Sequence, residues 1–276
     1  MTIVSGGFGQ VLKALRRERG LSQADLADRL ESTQRHISFL ETGRTQPSRF
    51  MLQRIERSLA LPVAKRLVLY EAAGFTSPYR RREEASAEVE AALDLIERQL
   101  LRHWPFPAYV LNKRWTVLRA NTAGTTFLSA IAPDQPHPAN LFEVFLDPDF
   151  RHRILNWEQT APIFAARLFR AAADDPDLAD LLDQATQAGL LAGLPEHLPD
   201  EIPIFVPMHF EGPDGSRLQM TSMLGQLASV QDAVIEGMTI ELVVPMDTAT
   251  EACLTATLAQ APEQAPKQAV ALSAAE

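Results

Sequence analysis

Four side chains set close together, Thr33, Gln34, Arg35 and Ser38, carry the hydrogen-bonding chemistry needed to read the edges of bases. A carboxamide such as Gln34 can pair with adenine and a guanidinium such as Arg35 with guanine, while hydroxyls serve either partner. On a helix these groups project outward, whereas Ile37 and Leu40, three residues apart, turn toward a core. Gly43 stands where that helix must end, because glycine adopts the left-handed conformation cheaply. Ahead of it, Ser22 is suited to cap a helix whose apolar Leu26, Ala27 and Leu30 share one face. The two segments read as a helix-turn-helix with the second helix as the reader.

The charge distribution agrees with that chemistry. The chain of 276 residues carries a formal charge of −9, which by itself would repel a polyanion. Residues 1–82, however, hold 15 Lys and Arg against 7 Asp and Glu, and the remainder hold 11 against 28. A basic head on an acidic body is the footprint of a nucleic-acid module joined to a domain with another task.

The elements that must position these residues follow from periodicity. Phe8, Val11, Leu12 and Leu15 predict a first helix over residues 8–18, closed by Arg19-Gly20. Helices over residues 23–30 and 33–41 follow, and Ser48 caps a fourth with Phe50, Leu52, Ile55 and Leu59 on its inner side. Pro62 opens a fifth that stops at Gly74. Residues 1–78 are thus expected to form an all-α domain of five helices. The Arg80-Arg81-Arg82-Glu83-Glu84 cluster reads either as a solvated linker or as the start of an amphipathic helix over residues 89–101, so residues 79–103 are taken as a linker or amphipathic helix. From residue 104 the period changes. Strands over 108–111 and 115–119 form a hairpin. Helices over 121–131, 141–146, 150–173 and 178–188 form an insertion, and strands over 204–211, 217–227 and 238–244 close an α+β domain spanning residues 104–258. Residues 259–276, mostly Ala, Gln, Pro and Lys, have little to bury and are expected to be a disordered tail.

At Gly20-Leu21-Ser22-Gln23, Ile37-Ser38, Glu41-Thr42-Gly43 and Pro47-Ser48 the sequence resembles the Xre family of helix-turn-helix regulators, with its lambda repressor-like fold, over residues 8–75. The resemblance implies that Gln23 starts the second helix against the DNA backbone, that Gln34, Arg35 and Ser38 face the major groove, and that Arg44 contacts a phosphate. It also implies a structural ion pair between Arg16 and Glu41. Phe39 departs from the polar residue usual at its position and either touches a thymine methyl or packs internally.

Beyond residue 100 the sequence resembles the MmyB-like ligand-binding domain, a PAS-like fold. The stretch from Tyr109 to Asn121 carries this likeness, together with Phe145-Leu146-Asp147-Pro148, Asn156-Trp157-Glu158 and the closing strands. This implies a cavity for a small apolar, fatty-acid-like ligand. Phe127, Phe142, Phe164, Leu168, Met220, Met223 and Leu224 are candidate lining residues, each of which could equally be ordinary core. The expected partners are a double-stranded DNA operator, that ligand and a second copy of the chain, since one such module buries little surface.

Other chemistry has little support. The histidines His36, His103, His137, His152, His197 and His209 are dispersed, and Gly6-Gly7-Phe8-Gly9 lacks the Lys-Ser or Lys-Thr of a phosphate loop. No catalytic residues, metal or cofactor are expected, although a PAS-like fold can also house haem or flavin. Cys253 is the only cysteine, which fits a reducing cytoplasm, and no apolar run approaches the roughly 20 residues that cross a bilayer. Two other readings of the second domain stand beside ligand sensing: a protein-interaction platform with a filled core, and an enzyme acting on an apolar acid or ester.

Overall fold

In the computed structural model, residues 7–133, 138–173, 175–187, 191, 207–212, 215–228 and 230–260 are described. The predicted segment over 204–206, most of the tail, His137 and His197 lie outside them.

The basic head folds as α1 (Phe8–Glu18), α2 (Gln23–Arg29), α3 (Gln34–Glu41), α4 (Arg49–Ser58) and α5 (Val63–Ala72). Hydroxyl caps start three of these helices. Ser22 forms a reciprocal capping box with Asp25, Thr33 accepts from the His36 amide, and Ser48 from the Met51 amide. Leu12, Leu26, Leu30, Ile37, Leu40, Leu52 and Ile55 are fully buried in one core. α1 crosses α3 so closely that a Cβ on Gly9 would lie 2.3 Å from the Glu41 carbonyl oxygen, so only glycine fits there. Phe50 departs from expectation. It is 64% exposed under the Arg54 guanidinium, and Met51 takes the inner position instead. The serine cap sets where α4 begins, and this phase turns residue 50 outward.

In the second domain, α6 (Ala87–Gln99) leads through a short 3-10 turn to β1 (Ala108–Leu111) and β2 (Val117–Ala120). Next come α7 (Thr122–Ile131), α8 (Leu141–Leu146), α9 (Pro148–His152), α10 (Trp157–Ala172) and α11 (Pro176–Gln187). The chain then forms β3 (Met208–Glu211), β4 (Arg217–Gly225), α12 (Ala233–Glu236), β5 (Thr239–Pro245) and α13 (Thr248–Gln260). The strands form one antiparallel sheet ordered β2-β1-β5-β4-β3. Helices cover both of its faces. α6, expected within a linker, buries Val89, Leu93 and Ile96 against Val110 and Ile240 on the outer face. α7, α8 and α9 pack with the inner-face residues Tyr109, Met220 and Val243.

Asn121 locks the start of this sheet. Its side-chain oxygen accepts from the amides of Ala108 and Gly124, and its side-chain nitrogen donates to the carbonyls of Leu101, Trp104 and Phe106. The helix expected over 150–173 is two helices. Ile154 bridges to Phe210, and the Leu155 amide donates to the His209 carbonyl at 2.7 Å. Backbone pairing beside β3 satisfies groups that a continuous helix would have withdrawn from the sheet edge. The helical segment of α13 within residues 248–260 is a further addition to the sequence reading, and its Thr250 hydroxyl accepts from the Gln219 amide.

Candidate DNA-reading face and ligand cavity

The candidate reading face is assembled on α2 and α3. Gln34 and Arg35 are exposed in the first turn of α3 and Ser38 is half-buried one turn on. Thr33 lies at the same end, but its hydroxyl caps the helix by accepting from the His36 amide at 3.2 Å. Phe39 is half-buried and works as a platform. The Arg35 guanidinium lies 5.2 Å from its ring centre and that of Arg44 lies 5.6 Å away. A cation over an aromatic face is held there electrostatically. The aromatic residue that departs from the usual pattern thus lies under both arginines of the candidate face.

Behind this face, Arg16 donates to both Glu41 oxygens, at 2.6 and 3.1 Å, and to the Leu21 carbonyl at 2.7 Å. The Gln23 carboxamide also donates to Glu41, at 2.7 Å. Gln23 is therefore bonded to the same carboxylate that ties α1 to α3, a link the sequence reading missed. Burial works to raise the Glu41 pKa, but the bonds from Arg16 and Gln23 outweigh it and hold the carboxyl below the usual glutamate range.

The second site is a cavity of about 150 Å³ between the sheet and the helical insertion. Tyr109, Met220 and Val243 form its floor, Phe127 and Leu128 of α7 one wall, and Phe145 and Phe164 another. The last two rings stack at 4.7 Å. Trp115 closes one end. Its backbone is left-handed at φ 63°, which is costly for an aromatic residue, and its ring stacks on Phe142 at 4.8 Å. Of the expected lining residues, Phe127, Phe164 and Met220 do line the cavity. Phe142 and Leu168 are fully buried in the adjoining cluster behind it. Met223 and Leu224 must be corrected. They are 57% and 43% exposed and do not line the cavity. Strand alternation sends Met223 to the face opposite Met220, and Leu224 lies near the end of β4, past the part that β3 covers.

Composition also concealed the polar groups here: Thr160, Arg167, Ser222 and Glu241 line the same cavity. Arg167 stacks over Trp115 at 5.6 Å. Burial first, and then the nearby Glu241 carboxyl, push the Tyr109 phenol well above its usual pKa, and its hydroxyl donates to the Gly124 carbonyl at 3.2 Å. Among the described residues, no cluster of three or more His, Cys, Asp or Glu side chains is arranged to hold a metal ion.

The two domains are joined through α12. Asp232 caps this helix with one oxygen and accepts from both the Arg82 amide and guanidinium with the other, at 3.1 and 3.0 Å. Four residues on, Glu236 accepts from the Val63 amide at 2.6 Å, at the N-terminus of α5. The arginine cluster is therefore partly a docking segment: Arg80 exchanges backbone hydrogen bonds with Gln231 and Ala233.

A family model described as the MmyB-like transcription regulator ligand binding domain matches residues 96–256, and one described as helix-turn-helix matches residues 12–65. No curated protein matches the chain. The first match covers more than half of the chain, and the chain belongs to the MmyB-like transcription regulators, with an Xre-type helix-turn-helix ahead of the ligand-binding domain.

Proposed function

We propose that this regulator binds a specific operator as a cytoplasmic homodimer and that a small apolar, fatty-acid-like molecule in the sensor cavity tunes that binding. The observation that carries the reading is the pairing of an exposed Gln34–Arg35 tip, steadied by Phe39, with an aromatic-walled cavity in the same chain. Gln34 addresses adenine and Arg35 guanine, with Ser38 beside them and Thr33 fixing the tip, while Gln23 and Arg44 approach the phosphates. Two half-sites about 34–36 Å apart would then supply the affinity that one module lacks. No helix among the described residues is long and apolar enough to cross a membrane.

Coupling runs along one short piece of chain. β5 forms part of the cavity floor, and α12 immediately before it holds α5 through Glu236. A ligand that favours one setting of β5 shifts the heads by its differential affinity for the two settings, typically about 1–3 kcal/mol.

The test is selection of bound sequences from a random DNA pool with the full chain, followed by binding measurements on Arg35→Ala. The reading expects a two-fold-related site and relaxed choice at one base in each half. Binding that ignores sequence, or is indifferent to Arg35, overturns it.

A further inference from the structure

The charged group that an apolar cavity leaves unexplained is the Arg167 guanidinium. Thr160, Ile163, Phe164 and Arg167 recur at three- and four-residue spacing, so one face of α10 lines the cavity. Phe164 is buried, and Arg167, three residues on, is half-buried over the Trp115 ring at 5.6 Å. Among the described residues Arg167 has no hydrogen-bond or salt-bridge partner, and Glu241 feels its charge through space without a hydrogen bond to it. Burial raises the pKa of the Glu241 carboxyl, and burial followed by Glu241 raises that of the Tyr109 phenol. Both shifts disfavour the anion that would answer this cation from within the cavity.

We propose that the cavity takes a short-chain carboxylic acid of roughly six carbons, its carboxylate paired with Arg167 and its chain enclosed by the aromatic walls. This rests on the ligand-sensing reading above and specifies the head and the length of that ligand. A carboxylate carried unpaired into an apolar cavity loses hydration that nothing there replaces, whereas a guanidinium offers it two parallel N–H donors and an opposite charge. An alcohol on the same chain gains neither the second bond nor the charge. Length follows from volume. A space of about 150 Å³ is the size at which an apolar protein cavity holds a six-carbon ring, and it is bounded by the Phe145–Phe164 stack at 4.7 Å and by Trp115, itself stacked on Phe142 at 4.8 Å. A longer chain parts these rings or leaves its far end in water, so further methylenes add little to binding.

The experiment titrates the delipidated full-length protein with hexanoate, hexan-1-ol and decanoate near neutral pH, reading tryptophan fluorescence, to which Trp115 beside Arg167 contributes. The expected result is hexanoate binding at least about tenfold tighter than hexan-1-ol. Decanoate should gain less than about tenfold over hexanoate, where burial of four further methylenes would give roughly a hundredfold or more. Arg167→Gln should bring hexanoate and hexan-1-ol to within about threefold of each other, and Arg167→Lys, which keeps the charge without the planar fork, should retain part of the preference. Hexan-1-ol binding as tightly as hexanoate, or a preference that Arg167→Gln leaves unchanged, overturns the assignment of the head. Decanoate showing the full gain of buried methylenes overturns the length. Either result leaves an apolar-ligand sensor standing, whereas failure of all three ligands to bind overturns the sensor reading itself.

Discussion

Two glutamates of this regulator, Glu41 in the helix-turn-helix and Glu241 in the sensor, are buried with different pairing. In the helix-turn-helix, both Glu41 oxygens are bonded, by Arg16 and Gln23, and the side chain is 3% exposed. In the sensor, Glu241 is buried to a similar depth with an oxygen left open. A fully paired carboxylate ties two helices together, whereas Glu241, like Glu56 of α4, leaves one oxygen without a partner among the described residues. Gln34 and Arg35 are exposed on α3, whereas the cavity-lining Glu241 is buried in the sheet.

The largest expected effect breaks the paired side of this contrast. Glu41→Ala leaves Arg16 buried without its partner and should cost the helix-turn-helix about 3 kcal/mol, read as faster hydrogen exchange across α3. All three tryptophans lie in the sensor, so the fluorescence-detected unfolding of that domain should move far less.

Acid sharpens the same contrast. The Glu41 pKa is lowered on folding, so its stabilisation is complete above the unfolded value and is lost as pH falls through the folded one. The Glu241 pKa is raised, so its contribution is complete below the unfolded value and is lost as pH rises through the folded one. Taking the pH from neutrality to below the usual glutamate value, about 4, should weaken protection in α3 while the Glu241 contribution favours the sensor. Parallel changes caused by these two residues would contradict the pairing difference, and Glu41→Gln and Glu241→Gln identify the residues responsible.

The third effect concerns the outward chemistry. Arg35→Ala should cost about 1–3 kcal/mol of discrimination at one base position, measured against operator variants at fixed salt. Glu236→Ala, which removes the acceptor at the start of α5, should lower reader stability by about 0.5–1 kcal/mol and reduce any ligand-dependent change in operator affinity. Smallest is Phe39→Leu. Loss of the platform under Arg35 and Arg44 should weaken DNA binding by about 0.5–1 kcal/mol with the fold intact by circular dichroism.

How much was legible in the sequence follows the same division. Ser22 and Ser48 announced helix starts because a cap is a local device, whereas Thr33, read as base-facing, caps α3 as well, and Gly20 and Gly43 have positive φ where helix ends were expected. The candidate reading tip was legible because Gln34, Arg35 and Ser38 lie together in the chain. The sensor's polar group was concealed by strand alternation itself. In Thr239-Ile240-Glu241-Leu242, the pattern reads Glu241 as the solvent face, but helices cover both sides of this sheet. Likewise Trp115 gave no sign of its left-handed backbone, and the break before α10 depends on pairing with β3, more than fifty residues later.

The hydrogen bond from Val63 to Glu236 spans 173 residues of sequence, which gives it a meaning during synthesis. At translation rates of about 5–20 residues per second, roughly 10–35 s separate the appearance of its two ends. The residues of the reader's own core are all made by then. Each new molecule therefore passes through an interval in which its DNA-binding head can fold while the group by which the sensor holds it has yet to be made.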